Sequence, residues 1–174
     1  MKFHQPDIKR ILLATDLSEN ANRAFGYAAA MANAHGAAIT ILHVLEKMPP
    51  KAELMVILYQ GYESRKDLEE KTEAEVLEQT KSFIEHYCDT FNGRFPACRL
   101  MVDAVVVEKG DPVKRILHHA RDGGYDVVVM GSRGFGLVQG LWMGSTSQGV
   151  LRHCDIPVFI VPPKIENAEA VDRP

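Results

Sequence analysis

Apolar positions along this chain fall into two alternating textures. Short unbroken runs rich in branched residues alternate with longer segments in which apolar residues return every three or four positions. The runs are Lys9 to Thr15, Ala38 to Leu45, Leu100 to Val107, Val127 to Met130 and Ile156 to Val161. Continuous runs of this kind mark strands covered on both faces, as in a parallel sheet. Between them, Ala21, Ala24, Phe25, Ala28 and Met31 share one helical face that begins after Ser18, a capping residue, and stops at Gly36. From Ser64 to Phe91, Leu68, Val76, Leu77, Phe83, Ile84, Tyr87 and Cys88 recur at helical intervals among Glu and Lys, which predicts a long helix with one face on a core. Asp111-Pro112 predicts a third helix start, a cap followed by a proline whose missing N–H costs nothing there. Val113, Ile116, Leu117 and Ala120 then face inward and Gly123-Gly124 stop the helix. A short helix through Val150 and Leu151 precedes the last strand.

Strand, helix and strand in quick succession imply right-handed parallel crossovers, and five strands so connected predict an α/β doubly wound five-stranded parallel sheet. Ligands of such sheets sit beyond the carboxyl ends of the strands, where strand order reverses. If strands one and four are neighbours at that reversal, Thr15-Asp16 and Met130-Gly131 converge there. Residues 1–163 are expected to form a single domain, and 164–174, a tail without pattern, to be disordered. The segment 48–64, broken by Met48-Pro49-Pro50 and carrying the apolar run Leu54 to Tyr59, fits a piece packed over the sheet, a flap or a subunit contact.

A length of 174 residues suits one domain with a proper core, and the net charge of −3, with no basic run, argues against a general nucleic-acid binder. The start, MKFHQPDIKR, has no apolar centre of a signal peptide, and the apolar runs are too short to span a bilayer, so a cytoplasmic protein without membrane partners is the expectation. Cys88, Cys98 and Cys154 lack CxxC spacing and read as core thiols, not a disulfide framework or a zinc site. His118-His119 and His153 beside Cys154 do not converge on one ion, since adjacent helical residues point about 100° apart.

The stretch VVVMGSRGFGLVQGLWMGSTS, 127–147, concentrates the candidate chemistry. A buried strand ends at Gly131, a loop carries Gly134, Gly136 and Gly140, and Gly144 is followed by Ser145, Thr146 and Ser147, residues that favour a helix cap. An anion at that helix start would meet free N–H groups and the positive end of the helix dipole. Glycines suit a backbone that wraps an oxyanion, through positive φ and the missing Cβ. Two better-known phosphate motifs are excluded. A P-loop requires lysine where Ser145 follows Gly144, and the dinucleotide fingerprint requires a glycine where Gln139 stands.

The spacing Gly131-x-x-Gly134, nine residues, then Gly144-Ser145, resembles the ATP-binding signature of the universal stress protein family. The resemblance extends through ILLATDLS, Gly110-Asp111-Pro112, DVVVMGSRG, MGSTS and PVFIVP. It implies a sheet of order 3-2-1-4-5, an adenine nucleotide alpha hydrolase-like fold, and ATP with Mg²⁺ or Mn²⁺ held on its phosphates. By the same resemblance, Thr15 and Asp16 would contact the adenosine end and Val44 would offer backbone groups to adenine. Met130 and Gly131 would approach the ribose and phosphates, Arg133 and Gly134 would line the phosphate path, and Gly144, Ser145, Thr146 and Ser147 would hold phosphate oxygens. It further implies a homodimer paired through Val158 to Val161. The function expected is a stress-response nucleotide-binding regulator with no catalytic residue, and the alternative is a slow ATPase or nucleotidyl-transfer enzyme. Transferases of the related folds carry a His-x-Gly-His-type element after strand one, and TDLSENAN has no histidine.

Overall fold

The computed structural model describes residues 7–46, 65–90, 101–134 and 143–163. In chain order these form β1 (Arg10–Thr15), α1 (Glu19–His35), β2 (Ala38–Leu45), α2 (Arg65–Thr90), β3 (Val102–Lys109), α3 (Pro112–Asp122), β4 (Val127–Gly131), α4 (Ser145–His153) and β5 (Val158–Val161). All five strands are parallel and lie in the order β3-β2-β1-β4-β5, as expected. The segment 48–64, the glycines 136 and 140, Gln139, Trp142, Cys98 and the tail from 164 lie outside the described residues.

Pleating explains why an unbroken apolar run is needed, since successive side chains of one strand enter opposite layers. Ile11 and Leu13 join Ile39, Ile41, Val127 and Val129 under Ala24, Phe25, Ala28 and Ala32 of α1. Leu12 joins Leu42, Val128 and Met130 on the other face, under Ile116 and Ala120 of α3 and Val150 of α4. The order reverses between β1 and β4. Right-handed crossovers therefore put α1 and α2 on one face and α3 and α4 on the other.

The helix boundaries follow local chemistry. The Ser18 hydroxyl accepts from the Ala21 amide at 3.3 Å, and the Asp111 carboxylate accepts from the Lys114 amide at 2.9 Å. Gly36, at φ 64°, supplies the left-handed residue that ends α1 and turns the chain into β2. At the amino end of the sheet, Asp126 Oδ2 accepts from the amides of Lys9 and Arg10 at 2.7 and 2.8 Å. Arg10 donates through Nη1 to the Gly123 carbonyl at 2.6 Å and lies over the Tyr125 ring.

Three boundaries differ from the expected ones. β3 lies two residues further on than the apolar run suggested. It pairs Val44 with Glu108 and Leu45 with Lys109, and the Gly110 amide still reaches the Leu45 carbonyl at 2.9 Å. Polar residues are tolerated on this edge strand because each has a partner, His119 Nε2 at 2.9 Å from Glu108 and Glu73 at 2.9 Å from Lys109. β5 begins at Val158 because Pro157 has no N–H, although its carbonyl still accepts from the Val128 amide. The cap of α4 is Gly144, one residue before Ser145, so no hydroxyl caps this helix.

Phe25 is fully buried at the centre of the α1 face. Phe25→Ala is expected to cost about 3–5 kcal/mol of unfolding free energy, read as a lower denaturation midpoint with unchanged slope in urea.

Candidate functional site

The carboxyl ends of β1, β2 and β4 and the amino ends of α1, α3 and α4 enclose a cleft of about 580 Å³, a size typical of a small-molecule site. Every residue that the family resemblance assigned to nucleotide contact lines it. Thr15 and Asp16 come from β1, Val44 from β2, and Met130 and Gly131 from β4. Arg133 and Gly134 begin the glycine loop, and Gly144, Ser145, Thr146 and Ser147 open α4.

One wall is the turn from β1 into α1. Leu17 adopts φ 63°, a left-handed conformation that costs a non-glycine residue about 1–3 kcal/mol. Local hydrogen bonds hold it there. The Leu17 amide donates to Thr15 Oγ1 at 3.1 Å, and the Ser18 amide and hydroxyl donate to Asp16 Oδ1 at 3.1 and 2.6 Å. These bonds aim the Asp16 carboxylate, whose Oδ2 lies against Gly134 so closely that any Cβ there would collide with it. The loop can reach Asp16 only because residue 134 is glycine.

The opposite wall is the start of α4. Its first-turn amides have no intrahelical acceptors, no side chain caps them, and no acidic residue stands in the first turn, so the positive end of the helix dipole faces the cleft uncompensated. The Ser147 hydroxyl, expected on a phosphate, points inward instead. It lies 2.8 Å from the Ser132 carbonyl and 3.0 Å from that of Gly144, which leaves Ser147 its amide to offer a ligand. Arg133 is half-buried, and its Nε is buried with no protein partner among the described residues. An anion would relieve both the orphaned donor and the open helix end.

Positive φ plays no part at the described glycines of this cradle, Gly131, Gly134 and Gly144. Among the described glycines it occurs at Gly36, Gly110 and Gly124, none of them in the loop. Gly131 and Gly144 matter through the missing Cβ. One added at Gly131 would stand 3.2 Å from the Arg133 carbonyl, whereas one at Gly144 would make ordinary contact at 3.5 Å with that of Ser132. Among the described residues nothing would clash with a Cβ at 144, and Gly144 lines the cleft.

Between the walls the floor is apolar, made by Leu42, Met130, Ile116 and Pro112. Ile116 and Pro112 were not foreseen, because nothing local says that α3 reaches the ends of strands one and four. His43 was also missed, although a lone histidine inside the apolar strand AITILHVL is a visible signal. Its Nδ1 stands 2.9 Å from the Thr15 carbonyl. A carbonyl only accepts, so Nδ1 carries the proton and donates. Burial pushes the imidazole below the usual 6.5, opposed by that hydrogen bond and by the nearby Asp16 carboxylate, so the ring is neutral at pH 7.

No group of three or more His, Cys, Asp or Glu side chains among the described residues is arranged to hold a metal. His118 pairs with Asp122 and His119 with Glu108. No described helix is long and apolar enough to cross a membrane. Chemically, the cleft suits a ligand with an anionic end for α4 and Arg133, hydrogen-bonding groups for the Thr15-Asp16 turn, and a flat apolar part for the floor.

Comparison with known proteins identifies a family. The model of the universal stress protein family matches residues 7–162. A universal stress protein of Thermus aquaticus, encoded in the QAH/OAS sulfhydrylase 3′ region, is 33% identical over 153 residues, covering 88% of this chain and 98% of that protein. The solved structure of MJ0577 of Methanocaldococcus jannaschii superposes with a TM-score of 0.70 at 22% identity, covering 92% of this chain and 99% of the other. Two further universal stress protein structures contain adenine nucleotides. One is a complex with cAMP (TM-score 0.54, 20% identity, 89% and 97% covered) and one, from Archaeoglobus fulgidus, a complex with dAMP (TM-score 0.52, 18% identity, 89% and 98% covered). With its signature spacing, its strand order and a family match spanning all described elements, the chain belongs to the universal stress protein family.

Proposed function

We propose that this protein is an ATP-binding regulator in which nucleotide occupancy of the cleft changes the shape or partner affinity of a homodimer. The observation that carries the reading is the uncapped start of α4 facing the cleft beside Arg133, with a bare Gly144 backbone between them. The cAMP and dAMP complexes of related proteins support the adenine nucleotide class.

In this reading the amides of Ser145, Thr146 and Ser147 and the Arg133 guanidinium bind phosphate oxygens, and the Ser145 and Thr146 hydroxyls add donors. Asp16 takes a ribose hydroxyl, and the backbone at Val44 takes the base above Leu42 and Ile116. A Mg²⁺ or Mn²⁺ ion would be held by phosphate and water. Regulation is favoured over turnover because, among the lining residues at the start of α4 and in the described part of the glycine loop, Arg133 is the charged one and none is a base that could activate a water at the phosphates. The cytoplasmic placement belongs to the same proposal.

The dimer contact proposed is the free edge of β5. Phe159 is 39% exposed and packs 5.7 Å, centroid to centroid, from the exposed Tyr27 ring, whereas Val158 and Ile160 lean into the α3–α4 face. Pairing this edge with its symmetry mate would bury the aromatic pair and satisfy the edge.

Three outcomes test the reading. Calorimetric titration of nucleotide-stripped protein with ATP and Mg²⁺ should give saturable binding with negligible phosphate release; rapid release would make the protein an ATPase. Gly144→Leu should remove binding at melting behaviour close to wild type, with Gly144→Ala intermediate and Arg133→Ala weakened about tenfold or more; undiminished affinity in folded Gly144→Leu would sink the cradle. Phe159→Glu should sediment as a monomer while its core stays intact, and a persisting dimer would place the interface elsewhere.

A further inference from the structure

The β1–α1 turn holds a left-handed leucine, and hydrogen bonds between near neighbours brace it: Leu17 to Thr15, Ser18 to Asp16, Ala21 to Ser18. A side-chain hydrogen bond also reaches it from the neighbouring strand, where His43 Nδ1 lies 2.9 Å from the Thr15 carbonyl across a sequence separation of 28. Thr15 and His43 are register partners at the carboxyl ends of β1 and β2, so the ring spans the last rung of the sheet at the lip of the cleft. Burial keeps the ring neutral, so it has one proton to donate, and the carbonyl fixes it on Nδ1. A histidine used only as core filling would be replaceable by an apolar residue of its size. This one instead donates to the peptide group whose following residue, Asp16, carries the carboxylate in the cleft.

We infer that His43 is a positioning residue for ligand binding: by donating Nδ1–H to the Thr15 carbonyl it holds the strained Thr15–Ser18 turn in the form that aims the Asp16 carboxylate into the cleft. The ligand side of this statement rests on the nucleotide reading above; the turn side does not. The strained φ at Leu17 gives the turn a reason to relax when the restraint goes, and relaxation would move the Asp16 carboxylate out of its close contact with Gly134. Affinity for the whole ligand falls, while the apolar floor is untouched.

The test compares His43→Leu, which fills the space without a donor, with His43→Asn, whose amide nitrogen can reproduce the Nδ1–H donation but not the far edge of the ring. In the ligand-free full chain, amide hydrogen exchange at Leu17 and Ser18 should quicken about tenfold in H43L and return near wild type in H43N. Exchange at Ile41 and Val129 should be unchanged in both, which reports an intact sheet. In calorimetric titrations with ATP and Mg²⁺, H43L should bind about tenfold more weakly and H43N within about twofold of wild type. Nitrogen NMR of the wild-type ring should show the Nδ1–H tautomer. Wild-type exchange at Leu17 and Ser18 in H43L overturns the inference. So does failure of H43N to rescue, which would assign the ring a packing or direct ligand role. If wild-type protein binds no ATP, the nucleotide reading fails by itself, and the exchange rates still decide the role of His43.

Discussion

The Ser132 carbonyl is the atom on which the site depends. Beyond the end of β4 it accepts from the Gly144 amide at 2.8 Å and lies 2.8 Å from the Ser147 hydroxyl, while the Ser132 amide donates to Val161 at 2.8 Å. A carbonyl has two lone pairs, and both are engaged. The glycine loop therefore leaves the sheet and returns to the same peptide, and the first turn of α4 is docked to the strand end with its amides turned outward. A serine or aspartate at the cap would have filled one of those amides. Gly144 leaves them for a ligand, and the anchoring falls to Ser147, which is buried.

That anchor works only because the sheet brings the remaining parts to the same place. Covering both faces of a parallel sheet requires α1 on one side and α3 and α4 on the other, and the reversal of direction between β1 and β4 opens a gap above their carboxyl ends. Side chains of opposite character meet across it. Asp16 is held by the turn that follows β1 and touches Gly134, and Arg133 stands one residue before it at the start of the loop after β4, so the cleft is lined by both an acid and a base. The turn at Leu17 is the least relaxed backbone in this arrangement, in keeping with the tendency of strain to collect where geometry is used.

Much of this was legible in the sequence because it rests on short-range rules. Five apolar runs, Ser18 and Asp111 as caps, Gly36 as a left-handed stop and the parallel crossovers gave the class of fold, and the family resemblance supplied the strand order. The spacing of Gly131, Gly134 and Gly144 pointed to one end of the sheet, and the residues expected to contact a nucleotide line one cleft there. What failed locally failed for tertiary reasons. β3 runs into Glu108 and Lys109 because β2 continues the ladder and His119 and Glu73 supply partners. Gly131 and Gly134 matter by lacking a Cβ and not by positive φ, a distinction that composition cannot carry.

By itself, then, the sequence determined the class of fold, since hydrophobic period, caps and crossover handedness are properties of neighbouring residues, while the strand order came from the family resemblance that its glycine spacing carries. Only the tertiary structure decided which atoms face the cleft. The Ser147 hydroxyl turns inward because a carbonyl fifteen residues away waits for it, and His43 faces the cleft because Thr15 of another strand ends beside it. Ile116 becomes part of the floor because α3 crosses under β1 and β2. Such assignments depend on distances between segments remote in sequence, and packing alone sets those distances.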